Sequence, residues 1–155
     1  MKIVLGCDSA GKPLLDVIVS HLKTRQDLEV EDLSIPGDGH EELYAEMAER
    51  IALKIADGTY DKGLLFCGTG IGVCMSASKV PGIRATVCHD VYSAGKASTS
   101  NNAHIMTMGA RVVGPELAKT IVDAWLGAEF DPSSHSARNI EAIDAVGQKY
   151  GKQNV

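Results

Sequence analysis

The fold follows from the stretch Gly63-Leu64-Leu65-Phe66-Cys67-Gly68-Thr69-Gly70-Ile71-Gly72, in which an apolar run leads into a glycine-rich turn. The apolar residues predict a buried strand over 63–67, and the alternating glycines predict a tight turn. A helix is expected from about residue 72 to residue 79, with Pro81-Gly82 ending it. A continuous apolar strand followed by a helix is typical of a parallel sheet that is buried on both faces.

The same pattern recurs on both sides of this stretch. Further strands are predicted over 3–5, 28–33, 84–90 and 105–108, and helices over 13–25, 41–57, 91–100, from about 115, and over about 136–150. Strands that alternate with helices in this way predict an α/β fold, a Rossmann-like three-layer α/β/α sandwich with a five-stranded parallel sheet. The 155 residues fit a single domain, 1–155, and leave little room for two.

Composition and charge exclude several classes of function. The net charge of -5 argues against a nucleic-acid partner, because phosphate backbones need a basic face. No apolar run approaches the roughly 20 residues of a membrane span, and the apolar start at 3–5 is too short for a signal peptide. We therefore expect a cytoplasmic protein with no membrane partner. The four cysteines lack C-x-x-C spacing, so reduced thiols are expected.

Ligands of parallel sheets bind beyond the carboxyl ends of the strands, which selects the turns at 6–11, 67–72 and 88–92. Cys67 places a thiol at such an end, directly before a helix whose N-terminus favours anions. The N–H groups of the glycine turn could hold a developing enediolate oxygen beside this thiol. A base at such a position suits removal of a proton next to a carbonyl group. A plain connecting turn with a buried cysteine is the alternative at this point.

Three other patterns point to different chemistry. Gly6 to Lys12 reads G-x-x-x-x-G-K, the opening of a phosphate-binding loop, but Pro13 stands where a magnesium-binding hydroxyl is needed. A dinucleotide site would need glycine where the chain has Val73, which leaves that option weak but open. Cys88-His89-Asp90 looks like metal ligands in series. Adjacent residues of a strand point to opposite faces, so no metal site is expected there.

Several motifs together resemble the ribose-5-phosphate isomerase B family, which includes the galactose-6-phosphate isomerase subunits. They are Gly6-Cys7-Asp8-x-Ala10-Gly11, Cys67-Gly68-Thr69-Gly70-x-Gly72, Lys79-x-x-Gly82-Ile83-Arg84-Ala85, Tyr92-Ser93-Ala94, Asn101-Asn102 and Met108-Gly109-x-Arg111. The resemblance covers nearly the whole chain. It implies an aldose–ketose isomerase that converts a small sugar phosphate, ribose 5-phosphate, to ribulose 5-phosphate through an enediolate. It also implies no metal and no cofactor.

The resemblance further implies a homodimer with active sites shared between subunits, and tetramers are a further option. It also implies that the helix at about 136–150 packs on the partner subunit.

By position, Cys67 is the base, because Val73 stands where some members carry a glutamate. Thr69 would contact the cysteine or a substrate oxygen, and Asp8 completes the catalytic set. The resemblance implies that Gly68, Gly70 and Gly72 of the turn bind the enediolate and that Asn101 and Asp8 bind substrate hydroxyls. It also implies that Arg111 and Arg138 bind the phosphate. Ser9 and Ser100 complete the implied substrate-binding residues.

Ser9 and Ser100 stand where the family commonly has histidines that touch the phosphate and open the sugar ring. Ribose 5-phosphate closes into a furanose through its C4 hydroxyl, whereas a tetrose 4-phosphate cannot. The segments Asp8-Ser9-Ala10-Gly11, Ser100-Asn101-Asn102 and Phe130-Asp131-Pro132 resemble the family branch that interconverts D-erythrulose 4-phosphate and D-erythrose 4-phosphate. Both substrates stay open from the sequence, as does a non-catalytic sugar-phosphate-binding domain that has lost two histidines.

Overall fold

The computed structural model describes residues 1–151 and contains one parallel sheet with helices on both faces. The strands are β1 (Lys2–Cys7), β2 (Glu29–Asp32), β3 (Lys62–Cys67), β4 (Ala85–Val87) and β5 (Ile105–Gly109). Their order in the sheet is β2-β1-β3-β5-β4, and every neighbouring pair is parallel. The predicted Rossmann-like α/β/α sandwich is therefore confirmed. Residues 152–155, which the predicted domain includes, lie outside the described residues.

Six helices connect and cover the strands in this part of the chain. They are α1 (Lys12–Leu22), α2 (Tyr44–Ala56), α3 (Ile71–Ala77), α4 (Val91–Thr99), α5 (Pro115–Leu126) and α6 (Ala137–Gly151). Helices α1, α4 and α5 bury their apolar sides on one face of the sheet, and α2 and α3 do so on the other. No helix within residues 1–151 has both the length and the apolar character needed to cross a bilayer.

The two faces have separate cores because successive strand residues point in opposite directions. In β3, Leu64 and Phe66 pack with α1 and α5, whereas Leu65 packs with α2. Trp125 on α5 is the largest fully buried side chain and lies in the first core. Full burial of each large aliphatic or aromatic side chain contributes about 1.5–3 kcal/mol.

Several element ends differ from the sequence prediction, and local hydrogen bonds explain them. Helix α2 begins at Tyr44 rather than 41, because the Glu46 carboxylate accepts the N–H of Leu43 at 2.8 Å and caps the helix there. Strand β4 ends at Val87 rather than 90, because the Asp90 carboxylate accepts the N–H of Ser93 at 2.7 Å and starts α4.

The last helix, α6, leaves most of its apolar side chains exposed in the single chain. Ile140 is buried, but Ile143, Val146 and Tyr150 are 46%, 60% and 54% exposed in the single chain. An exposed apolar stripe on one helix is unusual for a side that faces only water.

Candidate active site

The carboxyl ends of the three central strands bring the predicted catalytic residues together. Cys67 ends β3, which pairs with β1 on one side, through Cys7 and Phe66, and with β5 on the other, through Cys67 and Gly109. Asp8 directly follows β1, and Arg111 follows β5 by two residues. The topology therefore places these groups along one edge of the sheet, as expected for an α/β protein.

Cys67 is nearly buried, and its sulfur is met by a backbone donor. The side chain is 6% exposed, and the N–H of Gly70 is directed at its Sγ atom at 3.1 Å. Gly70 has φ +77°, and a Cβ there would come within 2.8 Å of the carbonyl carbon of Met108. Only glycine fits this conformation and this contact. Glycine at 70 thus allows the turn to fold back on the thiol.

The turn rests on β5 through a buried hydroxyl. The Oγ1 of Thr107, which is fully buried, donates to the carbonyl of Gly70 at 2.7 Å. Gly109 packs against the backbone of Thr69, where a Cβ would come within 2.6 Å. The Oγ1 of Thr69 accepts the N–H of Ile71 at 3.4 Å, so this hydroxyl caps its own turn in the free chain. Thr107 was missed by the sequence reasoning.

Two side chains flank the glycines of the turn. The guanidinium of Arg111 lies beside Gly68, where a Cβ would come within 3.4 Å of Nη1, and the N–H of Arg111 donates to the Gly68 carbonyl at 3.0 Å. Arg111 therefore borders the turn of its own chain. The ring of Tyr44 covers Gly72, where a Cβ would come within 2.7 Å of Cε2. Sequence reasoning did not find Tyr44, because it lies 28 positions before Gly72 and carries no motif.

The first turn lies directly against the end of β3. A Cβ on Gly11 would come within 2.4 Å of the Phe66 carbonyl oxygen, and the N–H of Gly11 donates to Asp8 Oδ1 at 2.9 Å. One carboxylate oxygen of Asp8 is therefore engaged within the turn. Gly6 is part of β1 and packs against Met47 and Ile51, so it does not belong to the turn that follows the strand.

A cleft of about 280 Å³ opens beside this turn. The cleft is lined by two carboxylates, one ammonium group, two hydroxyls, one thiol and one apolar side chain. In that order, these belong to Asp8 and Asp32, Lys12, Ser9 and Ser34, Cys7, and Ile35. Lys12 pairs with Asp16 on the next turn of α1. Burial raises the pKa of the Cys7 thiol, whose Sγ accepts from the Ser34 hydroxyl at 3.4 Å. Cys7 is therefore held as a neutral thiol, unlike a residue that acts as a base.

His89 has a structural partner, and Cys88 is buried. The N–H of Gly109 donates to His89 Nε2 at 2.9 Å, and burial lowers the pKa of His89, so the ring is neutral. Burial raises the pKa of Cys88 to about 11. Within residues 1–151, no three or more His, Cys, Asp or Glu side chains are grouped closely enough to hold a metal ion.

Two predicted site residues, Ser100 and Asn101, lie at the opposite edge of the sheet. Helix α4 leads from the carboxyl end of β4 back to the amino end of β5, so Ser100 and Asn101 follow it at the amino edge. The carbonyl of Asn102 accepts from Arg84, which precedes β4, at 3.0 Å. Arg138 is the second residue of α6, a helix that is joined to Arg84 through Asp144 at 2.8 Å. About 13 Å of strand separates this edge from Cys67.

The chain matches the family model described as Ribose/Galactose Isomerase over residues 3–143. It is 47% identical over 143 residues to D-erythrulose-4-phosphate isomerase of Pectobacterium atrosepticum, with 92% of this chain and 93% of that protein covered. It is 42% identical over 149 residues to ribose-5-P isomerase B of Listeria innocua, with 96% and 99% covered. The structure of ribose-5-phosphate isomerase B from Clostridium thermocellum matches with a TM-score of 0.88 at 39% identity, covering 97% of this chain and 99% of that one. These matches confirm the resemblance carried by the motifs, and the chain belongs to the ribose/galactose isomerase family.

Proposed function

We propose that this protein is an aldose–ketose isomerase of a short sugar phosphate and that Cys67 is the base that moves the proton. The observation that carries the proposal is the contact of the Gly70 N–H with Cys67 Sγ at 3.1 Å, at the carboxyl edge of the sheet. This donor is in place to stabilise the sulfur as a thiolate, the form that can accept a proton. The relatives named as sugar-phosphate isomerases support the same chemistry.

The proposed reaction, followed from the ketose, is a proton transfer between C1 and C2. The Cys67 thiolate removes a proton from C1, the C–H electrons form a C1=C2 double bond, and the C2 carbonyl oxygen becomes the enediolate oxygen. The thiol then returns the proton to C2. The proton on O1 is transferred to O2, and Asp8 is the candidate carrier, with Oδ1 held by Gly11. The N–H groups of Gly68 and Gly72 are the candidates to bind the enediolate oxygen.

A second copy of the chain completes the proposed site. Ser100 and Asn101 cannot reach a sugar phosphate at Cys67 in their own chain, because they lie at the other edge of the sheet. In a two-fold dimer, the amino edge of one subunit can face the carboxyl edge of the other. The exposed apolar residues of α6, Ile143, Val146 and Tyr150, provide a surface for the partner to cover.

Ser100 favours a tetrose phosphate as the preferred substrate, namely D-erythrulose 4-phosphate in exchange with D-erythrose 4-phosphate. A serine hydroxyl is a weak acid compared with an imidazolium and opens a furanose ring poorly. A tetrose 4-phosphate has no such ring, so it does not need a ring-opening acid. The relative from Pectobacterium atrosepticum is named for this activity. Ribose 5-phosphate is the second candidate, supported by the relative from Listeria innocua.

The function is tested by assaying both substrates with the wild type and with Cys67→Ala. We expect the wild type to isomerise the tetrose phosphate faster, and Cys67→Ala to lose at least about a hundredfold in kcat, as for loss of a general base. Cys74→Ala is the matched control, because Cys74 lies on α3 outside the turn and its raised pKa keeps it a thiol. Turnover of neither substrate by the wild type would contradict the proposal.

The shared site is tested by subunit complementation. Cys67→Ala and Asn101→Ala damage opposite edges of the sheet, so each homodimer should be impaired at both of its sites. A heterodimer purified through two different tags contains one site with both residues intact and should regain about half of the wild-type kcat. A heterodimer no more active than the better homodimer would contradict a site shared between subunits.

A further inference from the structure

Arg84 joins two segments that are distant in the sequence. Its side chain is 15% exposed at the amino edge of the sheet, directly before β4. Its Nε donates to the carbonyl of Asn102 at 3.0 Å, and its Nη1 donates to both carboxylate oxygens of Asp144 at 2.8 and 3.0 Å. One guanidinium thus holds both the turn that carries Ser100 and Asn101 and the middle of helix α6.

The turn that Arg84 holds has an unusual backbone. Asn102 has φ +43° and is the one non-glycine residue of the described chain, 1–151, with a positive φ. Asparagine tolerates this left-handed conformation better than most residues, but neighbouring contacts must maintain it. The hydrogen bond from Arg84 to the Asn102 carbonyl is such a contact.

A half-buried histidine, His104, contacts the other side of the guanidinium. The N–H of Arg84 donates to His104 Nδ1 at 3.1 Å, and Arg84 Nη2 lies 3.0 Å from His104 Nε2. Burial, with the charge of Arg84, lowers the pKa of His104 to about 4, so the ring is neutral. A neutral imidazole has one free acceptor nitrogen and accepts from one of these donors at a time. The ring confines Arg84 between the turn and the helix.

We propose that Arg84 is a positioning residue that sets the Ser100–Asn102 turn and helix α6 together, so that both reach the active site of the partner subunit. This inference rests on the proposed function, because it requires that the amino edge serves the second copy. Only the guanidinium fork can meet a carbonyl and a carboxylate at once in fixed directions. Arg84 therefore determines how Asn101 and Arg138 are presented to substrate without contacting it.

The kinetic test uses Arg84→Lys, which keeps the charge and loses the fork. We expect KM for the sugar phosphate to rise about tenfold, because the binding groups are misplaced, while kcat changes less than about threefold. Asp144→Asn weakens the same contact between Arg84 and helix α6 from the Asp144 side, where the side chain is 38% exposed. This variant should also raise KM. Arg25→Lys is the control, since Arg25 makes a similar two-point pair with Asp27 away from α6. A fall in kcat with KM unchanged in both test variants would overturn the proposal.

Complementation then shows which subunit's site Arg84 serves. A heterodimer of Arg84→Lys with Cys67→Ala has one active site, in which Cys67 meets an intact amino edge, and we expect a wild-type KM. A heterodimer of Arg84→Lys with Asn101→Ala has a damaged amino edge at both sites and should keep a raised KM. A raised KM in the first heterodimer would overturn the assignment to the partner's site. Failure of Cys67→Ala and Asn101→Ala to complement would instead contradict the shared site itself, so the two failures are distinguishable.

Discussion

Gly70 is the residue on which the shape of the catalytic turn depends most directly. It has φ +77°, and its N–H reaches Cys67 while a Cβ would collide with the backbone of Met108 at 2.8 Å. We predict that Gly70→Ala lowers kcat about a hundredfold by displacing the turn. The free energy of unfolding should fall by about 2–4 kcal/mol, from the strain and the clash together. Steady-state kinetics and urea unfolding measure the two effects.

Gly82→Ala is the matched control, because Gly82 has φ +80° but nothing within 4 Å of its Cβ position. In this variant, the free energy of unfolding should fall by only about 1–2 kcal/mol, the cost of the left-handed backbone conformation, and kcat should stay unchanged. An equal loss of kcat in both variants would mean that the contact at Met108 does not matter.

Ser100 carries the prediction about sugar length. Ser100→His introduces a group that can donate a proton to a furanose ring oxygen, so activity on ribose 5-phosphate should rise by about tenfold or more. Activity on erythrose 4-phosphate should stay the same, because no ring has to be opened. Ser100→Ala serves as the control for loss of the hydroxyl. Equal changes on both substrates in Ser100→His would contradict the proposed role of this position.

Strand β5 supports the catalytic turn through Thr107. The variant Thr107→Val keeps the shape but leaves the Gly70 carbonyl without its donor at 2.7 Å. We expect a loss of about 1–3 kcal/mol in the free energy of unfolding and a fall in kcat, whereas Thr107→Ser should retain both. The comparison of the two variants by chemical unfolding and kinetics separates the hydroxyl from the methyl group. Equal stability and equal kcat in Thr107→Val and Thr107→Ser would show that this hydrogen bond does not hold the turn.

The elements were predictable from sequence because apolar runs and amphipathic stretches alternate along the chain. Their ends were not, since local hydrogen bonds decide them, as at Leu43 and Asp90. Of the residues that support the turn, Thr107 left a signal, a lone hydroxyl within the apolar run Ile105–Met108. Tyr44 left none, because it lies far from Gly72 in the sequence. Arg84, at the other edge of the sheet, belongs to a family motif, but the motif does not indicate its contacts with Asn102 and Asp144.

The single chain separates the predicted site into two parts. The family motifs place Cys67 and Asn101 in one site, but within residues 1–151 these residues lie at opposite edges of the sheet. The position of Asn101 follows from the order of elements, because a helix after β4 must return to the amino edge before β5 begins. The proposed shared site would draw on a second subunit, which periodicity within one sequence does not describe.

His104 makes the stability of the protein depend on pH. Its pKa is about 4 in the folded chain and 6.5 as a free side chain, so below about pH 6.5 the unfolded state binds a proton that the folded state does not. We predict that the free energy of unfolding falls between about pH 6.5 and pH 4, by up to about 3 kcal/mol from this residue. Urea unfolding at fixed protein concentration across this range measures the slope.

The variant His104→Asn can accept the Arg84 N–H through its amide oxygen but does not titrate, so its stability should depend less on pH in this range. His135→Asn, at an exposed position, should keep the wild-type slope. An identical slope in His104→Asn and wild type would contradict a histidine that stays neutral in the folded chain.

The central claim, that Cys67 transfers a proton between two carbons, is tested most directly by hydrogen exchange between substrate and solvent. In D₂O, we expect the Cys67 thiol to exchange its proton with solvent while the enediolate is present, so that wild-type enzyme incorporates deuterium at C2 of the aldose product, as followed by proton NMR. The variant Cys67→Ala should show neither isomerisation nor exchange, while Cys74→Ala should behave as wild type. Isomerisation of the substrate by Cys67→Ala with deuterium incorporation at the wild-type rate would contradict the account.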